Sequence, residues 1–363
     1  MHRSVPFAAA AVAVVCAGTA PAAHAQGVTV YGILDQSVEY LTNVNAAGDS
    51  VKRMPNLTGS VPSRLGFRGV EDLGGGMRAV FGLESGLAPD AGTLNNGGRF
   101  FGRFAYVGLA GPWGTLTAGR LANMTFLAHG NETLGGNLYS NASLDPYIPN
   151  ARSDNAIGYL GNFGAFTVGG TYSLGRDTAA GGGPAATNCA GEGAGGGRAC
   201  RQWTVLLKYD GASAGAAFSH DVMNGGTGAL LGMGDPAFRD RRTVLNGYVR
   251  WGGAKIAAGV QRRHRDAAAD LKSNLWHLGV SYAVMPAVVV DAQLSRLDVA
   301  GSDADATLLA VRGSYAFSKR TTIYAMAGRI RNGEGSAVSL SAGGTVGAGL
   351  SQSGVAAGIR HSF

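Results

Sequence analysis

The stretch RLGFRGVEDLGGGMRAVFGLE, residues 64–84, sets Arg64 and Arg68 among Leu65 and Phe67, breaks at three glycines, and resumes with Met77, Arg78, Ala79, Val80 and Phe81. A period of two is the signature of an extended strand, whose successive side chains point to opposite faces. The reading is two strands joined by the tight turn EDLGGG. One face carries Leu65, Phe67, Met77, Ala79, Phe81 and Leu83, and the other carries Arg64, Arg68, Arg78 and Glu84. Grease on one side and bulky charge on the other calls for two different solvents.

The same alternation recurs along the chain. In VTVYGILDQSVEYL, residues 28–41, Val30, Leu34, Val38 and Tyr40 oppose Tyr31, Asp35, Ser37 and Glu39. In TVLNGYVRWGGAKIAAGVQRR, Leu245, Val249, Trp251, Ile256, Ala258 and Val260 oppose Asn246, Tyr248, Arg250, Lys255, Gln261 and Arg263. About sixteen such segments are counted between 28 and 363, an even number. Tight turns, such as those at 111–114, 162–164, 252–253, 285–286 and 318–319, alternate with long Gly/Asn/Ser/Asp-rich loops. In an up-and-down sheet this makes one end short and the other ragged. No long run of period 3.6 appears, so helices are not expected.

Composition narrows the setting. The chain has 363 residues, 15% charged and 60 of them glycine, more than twice the usual glycine share. MHR, the apolar FAAAAVAVVCAG and Ala23-His24-Ala25 read as a secretory signal, residues 1–25, with cleavage before Gln26. The domain reading is therefore that signal followed by one β domain, 26–363. With Arg3 removed, 29 basic residues face 23 acidic ones, a net +6. That excess names no anionic partner, and no aromatic-plus-basic cluster suggests nucleic acid. No stretch after residue 25 approaches 18 apolar residues, so a membrane would have to be crossed by strands.

An apolar outer face, polar inner face and aromatic residues near strand ends (Trp203, Tyr209, Trp251, Trp276, Tyr282, Phe317, Phe363) fit such a crossing. Backbone groups in hydrocarbon must all be paired, and a closed barrel pairs them without leaving an edge. The expected fold is all-β, a 16-stranded antiparallel transmembrane β-barrel wide enough for an aqueous channel.

VTVYGILDQSVEY, SRLGFRGVEDLGGGMRAVFGLESG, GGRFFGRFAYVGLAGPWGTLTAGR, ARSDNAIGYL and the terminal GIRHSF together resemble the trimeric general porins of Gram-negative outer membranes, a family with anion-preferring members. The resemblance implies a homotrimer, a passive channel for small ions and hydrophilic solutes, and a third loop, about 123–152, folded inward as a constriction. It places the arginine side of that constriction at Arg64, Arg103 and Arg152, with Arg68, Arg78, Arg99 and Arg120 in second rank. The acidic side falls on Glu132 and Asp145 of the loop, with Asp154 just beyond. Phe363 resembles the terminal aromatic through which barrel-assembly machinery recognises such chains. Arginine suits an anion path because it stays ionised and offers several donors. Any one of these arginines would serve only the wall if it paired with Asp35, Glu39 or Glu84.

Other signals are weaker. Cys189 and Cys200, in a Gly-rich loop of an exported chain, are read as a local disulfide, their spacing fitting neither CxxC nor a zinc site. His129, His220, His264, His277 and His361 share no metal-ligand spacing, and the glycine runs lack the end of a phosphate loop. No metal or cofactor is expected. RRHRD, residues 262–266, enters an outer loop and is expected to meet lipopolysaccharide or solvent. A barrel enzyme lacks a local Ser/His/Asn grouping. A substrate-specific porin and an adhesin-type barrel are the closer rivals.

Overall fold

The computed structural model describes residues 27–55, 59–135, 138–176, 189–193 and 197–363. The expected signal segment 1–25 lies outside the described residues. Among them, eighteen strands run β1 (Thr29–Leu41), β2 (Val51–Arg53), β3 (Arg64–Gly74), β4 (Met77–Ala88), β5 (Thr93–Leu94), β6 (Phe104–Gly111), β7 (Gly114–Ala122), β8 (Arg152–Phe163) and β9 (Phe166–Ser173). The second half runs β10 (Gln202–Asp210), β11 (Ala214–Asn224), β12 (Arg239–Trp251), β13 (Ala254–Asp266), β14 (Leu271–Met285), β15 (Val288–Val299), β16 (Ala306–Ala316), β17 (Thr321–Asn332) and β18 (Gln352–Ser362). β2 and β5 are short pieces of loop. The other sixteen form a barrel in which each strand pairs antiparallel with its neighbours.

Pairing of β1 with β18, from Ile33 opposite Ser362 to Leu41 opposite Gly354, closes the ring. Closure leaves no edge unpaired on the sixteen barrel strands among the described residues, as hydrocarbon requires. Beyond β18, Gly32 and Phe363 exchange two backbone hydrogen bonds of 3.1 Å. The Phe363 ring lies over Gly32, where a Cβ would collide with it. No helix among the described residues is long and apolar enough to cross a membrane.

The two faces fall as the alternation requires. Val30, Leu34, Val38, Leu245, Val249, Ile256, Leu278, Leu294, Val355 and Ile359 are exposed on the outside, while Asp35, Glu39, Asn246, Tyr248 and Gln261 are buried inside. Phe67, Met77, Ala79, Phe81 and Leu83 share the outer phase of β3 and β4 and are half-buried. Exposed rings crowd the short-turn end: Phe163, Phe166, Tyr209, Tyr282, Phe317, Phe363 and, at 81% exposure, Trp251. Amphipathic rings at that level suit a membrane interface.

Two differences from the sequence reading have physical causes. The alternating stretch FFGRFAYVGLA, residues 100–110, reads as a strand from its first residue but forms one only from Phe104, because Arg99–Arg103 fold back over β4, where Arg103 N donates to Glu84 O at 3.0 Å. Short helices also occur, in the loop between β7 and β8: α1 (Met124–Ala128) and α2 (Asn141–Leu144). Each is held by a side-chain cap rather than by periodicity. Asn123 accepts from Phe126 N at 3.2 Å, and Ser140 accepts from Ala142 N at 3.2 Å.

Candidate constriction site

The loop from Asn123 to Ala151 does not project outward. It folds into the barrel and lies against the far wall, and that wall is shaped for it. Lumen-phase positions on β10, β12, β14, β16 and β17 hold Leu206, Val244, Leu275, Leu308 and Ile330, all buried. Met124 and Ala128 pack on Leu206, Ala217 and Val244, while Leu134, Leu138, Tyr139, Leu144 and Ile148 join Leu275, Leu308, Ile330 and Leu340. These apolar breaks in an otherwise polar inner face were the sequence signal for the docking site. They were legible only once the face was known.

Polar contacts finish the docking. Asn131 Nδ2 donates to Asn246 Oδ1 at 2.8 Å, and Asn246 Nδ2 donates to Ala128 O at 2.9 Å. Asn141 Oδ1 accepts from Ser295 Oγ at 2.7 Å, and Ser143 Oγ donates to Leu340 O at 2.6 Å. Tyr147 OH donates to Asp221 at 2.5 Å and accepts from Gln202 and Asn123 at 2.7 and 2.6 Å. The Arg242 and Arg176 guanidiniums lie over its ring, 4.1 and 4.8 Å from the centroid.

Asp145, expected on the pore side of this loop, turns to the far wall instead. It takes Arg242 Nε at 3.1 Å and Gln261 Nε2 at 2.8 Å. Burial opposes its ionisation, but Arg242, Arg263 and the Tyr147 N–H outweigh that and hold its carboxyl at about 2. A buried acid facing an arginine is satisfied there, so it does not return to the lumen. Glu132 stays beside the lumen with one oxygen bonded to His129 Nδ1 at 2.5 Å. Burial works against both charges, yet each holds the other charged: His129 is pushed up and Glu132 down. His129 Nε2 also meets Gln261 Oε1 at 3.0 Å.

The docked loop leaves open space on the other side, against β1 and β3–β6. A cavity of about 420 Å³ lies there, with Arg64, Glu84, Arg103 and Phe104 on the wall and Phe126, Leu127, His129, Glu132, Ile148 and Pro149 on the loop. Glu84 is the hub of the wall. Arg103 Nε reaches Oε1 at 2.5 Å, while Tyr31 OH and Arg64 Nε reach Oε2 at 2.9 and 3.6 Å. A second space of about 490 Å³ continues toward the short turns past Tyr31, Arg68, Val70, Tyr106 and Leu127. Arg68 sits there, 5.3 Å from the centroid of the Tyr31 ring.

The remaining arginines stand behind this lining. Arg152 does not face the space: at 1% exposure it lies between the Phe104 and Phe126 rings, 5.6 and 5.3 Å from their centroids, and donates to Pro149 O at 2.9 Å. The inward fold of the loop swings Phe126 over it. Arg99 and Arg120 share Asp154, Arg99 at 3.9 Å. Arg78 is exposed next to the EDLGGG turn, paired in register with Asp72. Four guanidiniums (Arg64, Arg99, Arg103, Arg120) thus pair with two carboxylates, Glu84 and Asp154, so arginines outnumber acids on this wall. Of the other acids considered as partners, Glu39 takes Arg53 at 2.6 Å, and Asp35 accepts from Ser60 and Tyr324.

Cys189 and Cys200 Sγ stand 2.05 Å apart, at bonding distance. No group of three or more potential metal ligands occurs among the described residues.

A closed antiparallel barrel with an apolar outside, a wet inside and a loop folded into it defines an outer-membrane channel. The chain matches the family model described as Gram-negative porin over residues 8–335, and it belongs to that family. It is 31% identical to outer membrane porin protein 32 of Delftia acidovorans, over 97% of this chain and 98% of that one. Over 45% of this chain and 46% of the relative it is 34% identical to an outer membrane porin protein of Bordetella pertussis. Its fold matches the solved structure of an anion-selective porin from Comamonas acidovorans with a TM-score of 0.75 and 28% identity, covering 93% of this chain and 100% of that one. These relatives are porins, channels rather than enzymes. The protein is an outer-membrane porin, a passive diffusion channel for small hydrophilic solutes.

Proposed function

We propose that this channel prefers anions and that its selectivity is set where Arg64 and Arg103 face the inward loop. The observation that carries the reading is that two guanidiniums share the single carboxylate of Glu84 at the narrowed space, so pairing with the wall does not cancel their charge, and Arg99 and Arg120 likewise share Asp154 behind them. Narrow, low-dielectric walls strengthen such a field, which lowers the barrier for an anion and raises it for a cation. The solved Comamonas porin, described as anion-selective, supports the same sign. Glu132 and Asp145 contribute little negative potential to the passage in this reading, since each is matched by a cation within the loop or wall.

The test is the reversal potential of the purified protein in a planar bilayer across a potassium chloride gradient. An anion-like sign is expected, reduced when Arg64 and Arg103 are both replaced by glutamine. A cation-like sign in the unmodified protein would refute the assignment.

The working assembly in this proposal is a homotrimer; one structure of the related fold is described as a trimer form. The mature chain begins at Gln26 after signal removal. Phe363, seated on Gly32, is the mark read by the barrel-assembly machinery, and the outward basic residues of 262–266 meet lipopolysaccharide. Cys189–Cys200 closes the outer loop as a disulfide.

A further inference from the structure

The two sides of the narrowed passage differ in kind. The wall side offers Arg64 and Arg103, while the loop side offers the ring and aliphatic surface of Phe126, Leu127 and Pro149. Phe126 and Leu127 are half-exposed to that space. The two ionisable loop residues that line it, His129 and Glu132, are spent on each other. Asp145 has left for Arg242. Phe104, on the wall beside the arginines, extends the apolar surface across the floor, and Leu127 continues it into the space below, beside Tyr31, Val70, Tyr106 and Arg68.

A bare inorganic anion uses half of such a passage. It can pair with the guanidiniums, but it loses hydration against the loop and gains nothing there. An organic anion uses both halves. A carboxylate takes the charge-assisted donors of Arg64 and Arg103, and a hydrocarbon or aromatic body covers Phe126, Leu127 and Phe104, removing apolar surface from water. Arg68, beside Tyr31 in the lower space, gives the carboxylate a second station on the same side, so the body keeps its contact with Leu127 as the ion moves.

We infer that the preferred solutes are small amphiphilic monocarboxylates, an acid group on an alkyl or aryl body, held transiently with the carboxylate on Arg64 and Arg103 and the body on Phe126 and Leu127. This deepens, and rests on, the anion preference proposed above.

The experiment measures chloride current through the purified porin in a planar bilayer while sodium acetate, gluconate, hexanoate or phenylacetate is added. All four carry one negative charge, and gluconate matches hexanoate in carbon number but is hydroxylated throughout. Hexanoate and phenylacetate are expected to half-block the current at concentrations at least about tenfold below gluconate and acetate, the effect of burying roughly two methylenes of surface. Leu127→Asn should raise the half-blocking concentration of phenylacetate severalfold while that of acetate hardly moves. The four-ion series on the unmodified protein needs no variant to fold. Equal block by gluconate and phenylacetate, with an anion-like reversal potential, overturns the inference and leaves the anion reading standing. A cation-like reversal potential overturns the anion reading itself.

Discussion

The inward loop has two faces, and they are built from opposite chemistry. The face turned to the far wall carries Asp145, Tyr147, Asn131 and Asn141, each hydrogen-bonded to a barrel strand, and Ser143, bonded to Leu340 O in the loop between β17 and β18. The face turned to the arginine wall carries Phe126, Leu127 and Pro149, whose side chains have nothing to donate or accept. Polar side chains on a pore-lining loop invite the assumption that they meet the solute. Here they meet the wall, because a polar group buried without a partner is costly, and the far wall supplies the partners. Anchorage thus belongs to one face of the loop, and the selection proposed above falls to the other.

The strongest way to break that division is to remove the anchor. Arg242→Ala leaves Asp145 buried without its cation, a loss of about 3–5 kcal/mol for a pair of this kind. Thermal unfolding should show the loss, and single-channel recordings should show larger, noisier openings as the loop leaves the wall. Quiet openings of unchanged size would mean that the loop is held by packing alone.

Acid tests the same contact more gently. Asp145 titrates near 2 rather than near its ordinary 3.8. A depressed carboxyl contributes stability that is fully present above its unfolded pKa and is lost as pH falls through the folded one. The anchor should therefore be flat at neutral pH and lose about 2 kcal/mol between roughly pH 4 and pH 2. Unfolding midpoints measured across that window in the parent and in Asp145→Asn should converge at the acid end.

Replacing Arg64 and Arg103 together by glutamine addresses the selective face. It removes two positive charges beside Glu84, and an interaction of about 1 kcal/mol in water-like surroundings corresponds to roughly a fivefold fall in the anion-to-cation permeability ratio. Glu84 is buried and loses both cations, so a stability cost accompanies the change, while open-channel noise should stay at the parent level because the loop does not hang on these residues. Noisier openings without a selectivity change would reverse the roles of the two faces.

His129 and Glu132 sit where the faces meet, so their effect should be smaller. A histidine with a raised pKa contributes stability below its unfolded pKa and loses it as pH rises through the folded one. Open-channel noise should grow on the alkaline side, and His129→Gln should abolish that trend. The smallest effect belongs to Cys189→Ser, which lies outside the passage and touches the anchor only through its backbone, Cys189 O accepting from Arg176 N at 2.8 Å; an unchanged reversal potential is expected alongside a modest fall in thermal stability.

The barrel was legible in the residues to a degree that its constriction was not. Every long strand announces itself through period two, because each residue of a membrane wall faces one of two solvents that accept different side chains. Glu84 was a nameable partner for Arg64 since both lie on the lumen phase of adjacent strands. Arg152 and Asp145 resisted such reading for one reason: their surroundings come from distant segments. Phe126 covers Arg152, and Arg242, on a strand far along the chain, claims Asp145. Alternation carries no information about which face of a folded-in loop meets which wall. The short helices were equally hidden, being fixed by the caps Asn123 and Ser140 within a loop that propensity leaves unassigned.

What the sequence determined alone was the wall: which side chains meet lipid, which meet water, and where the short turns fall. Those are local consequences of a two-residue period in two solvents. The tertiary structure decided the passage, because its width, its charge and its apolar side depend on how one loop distributes its polar groups between the wall it leans on and the space it leaves open.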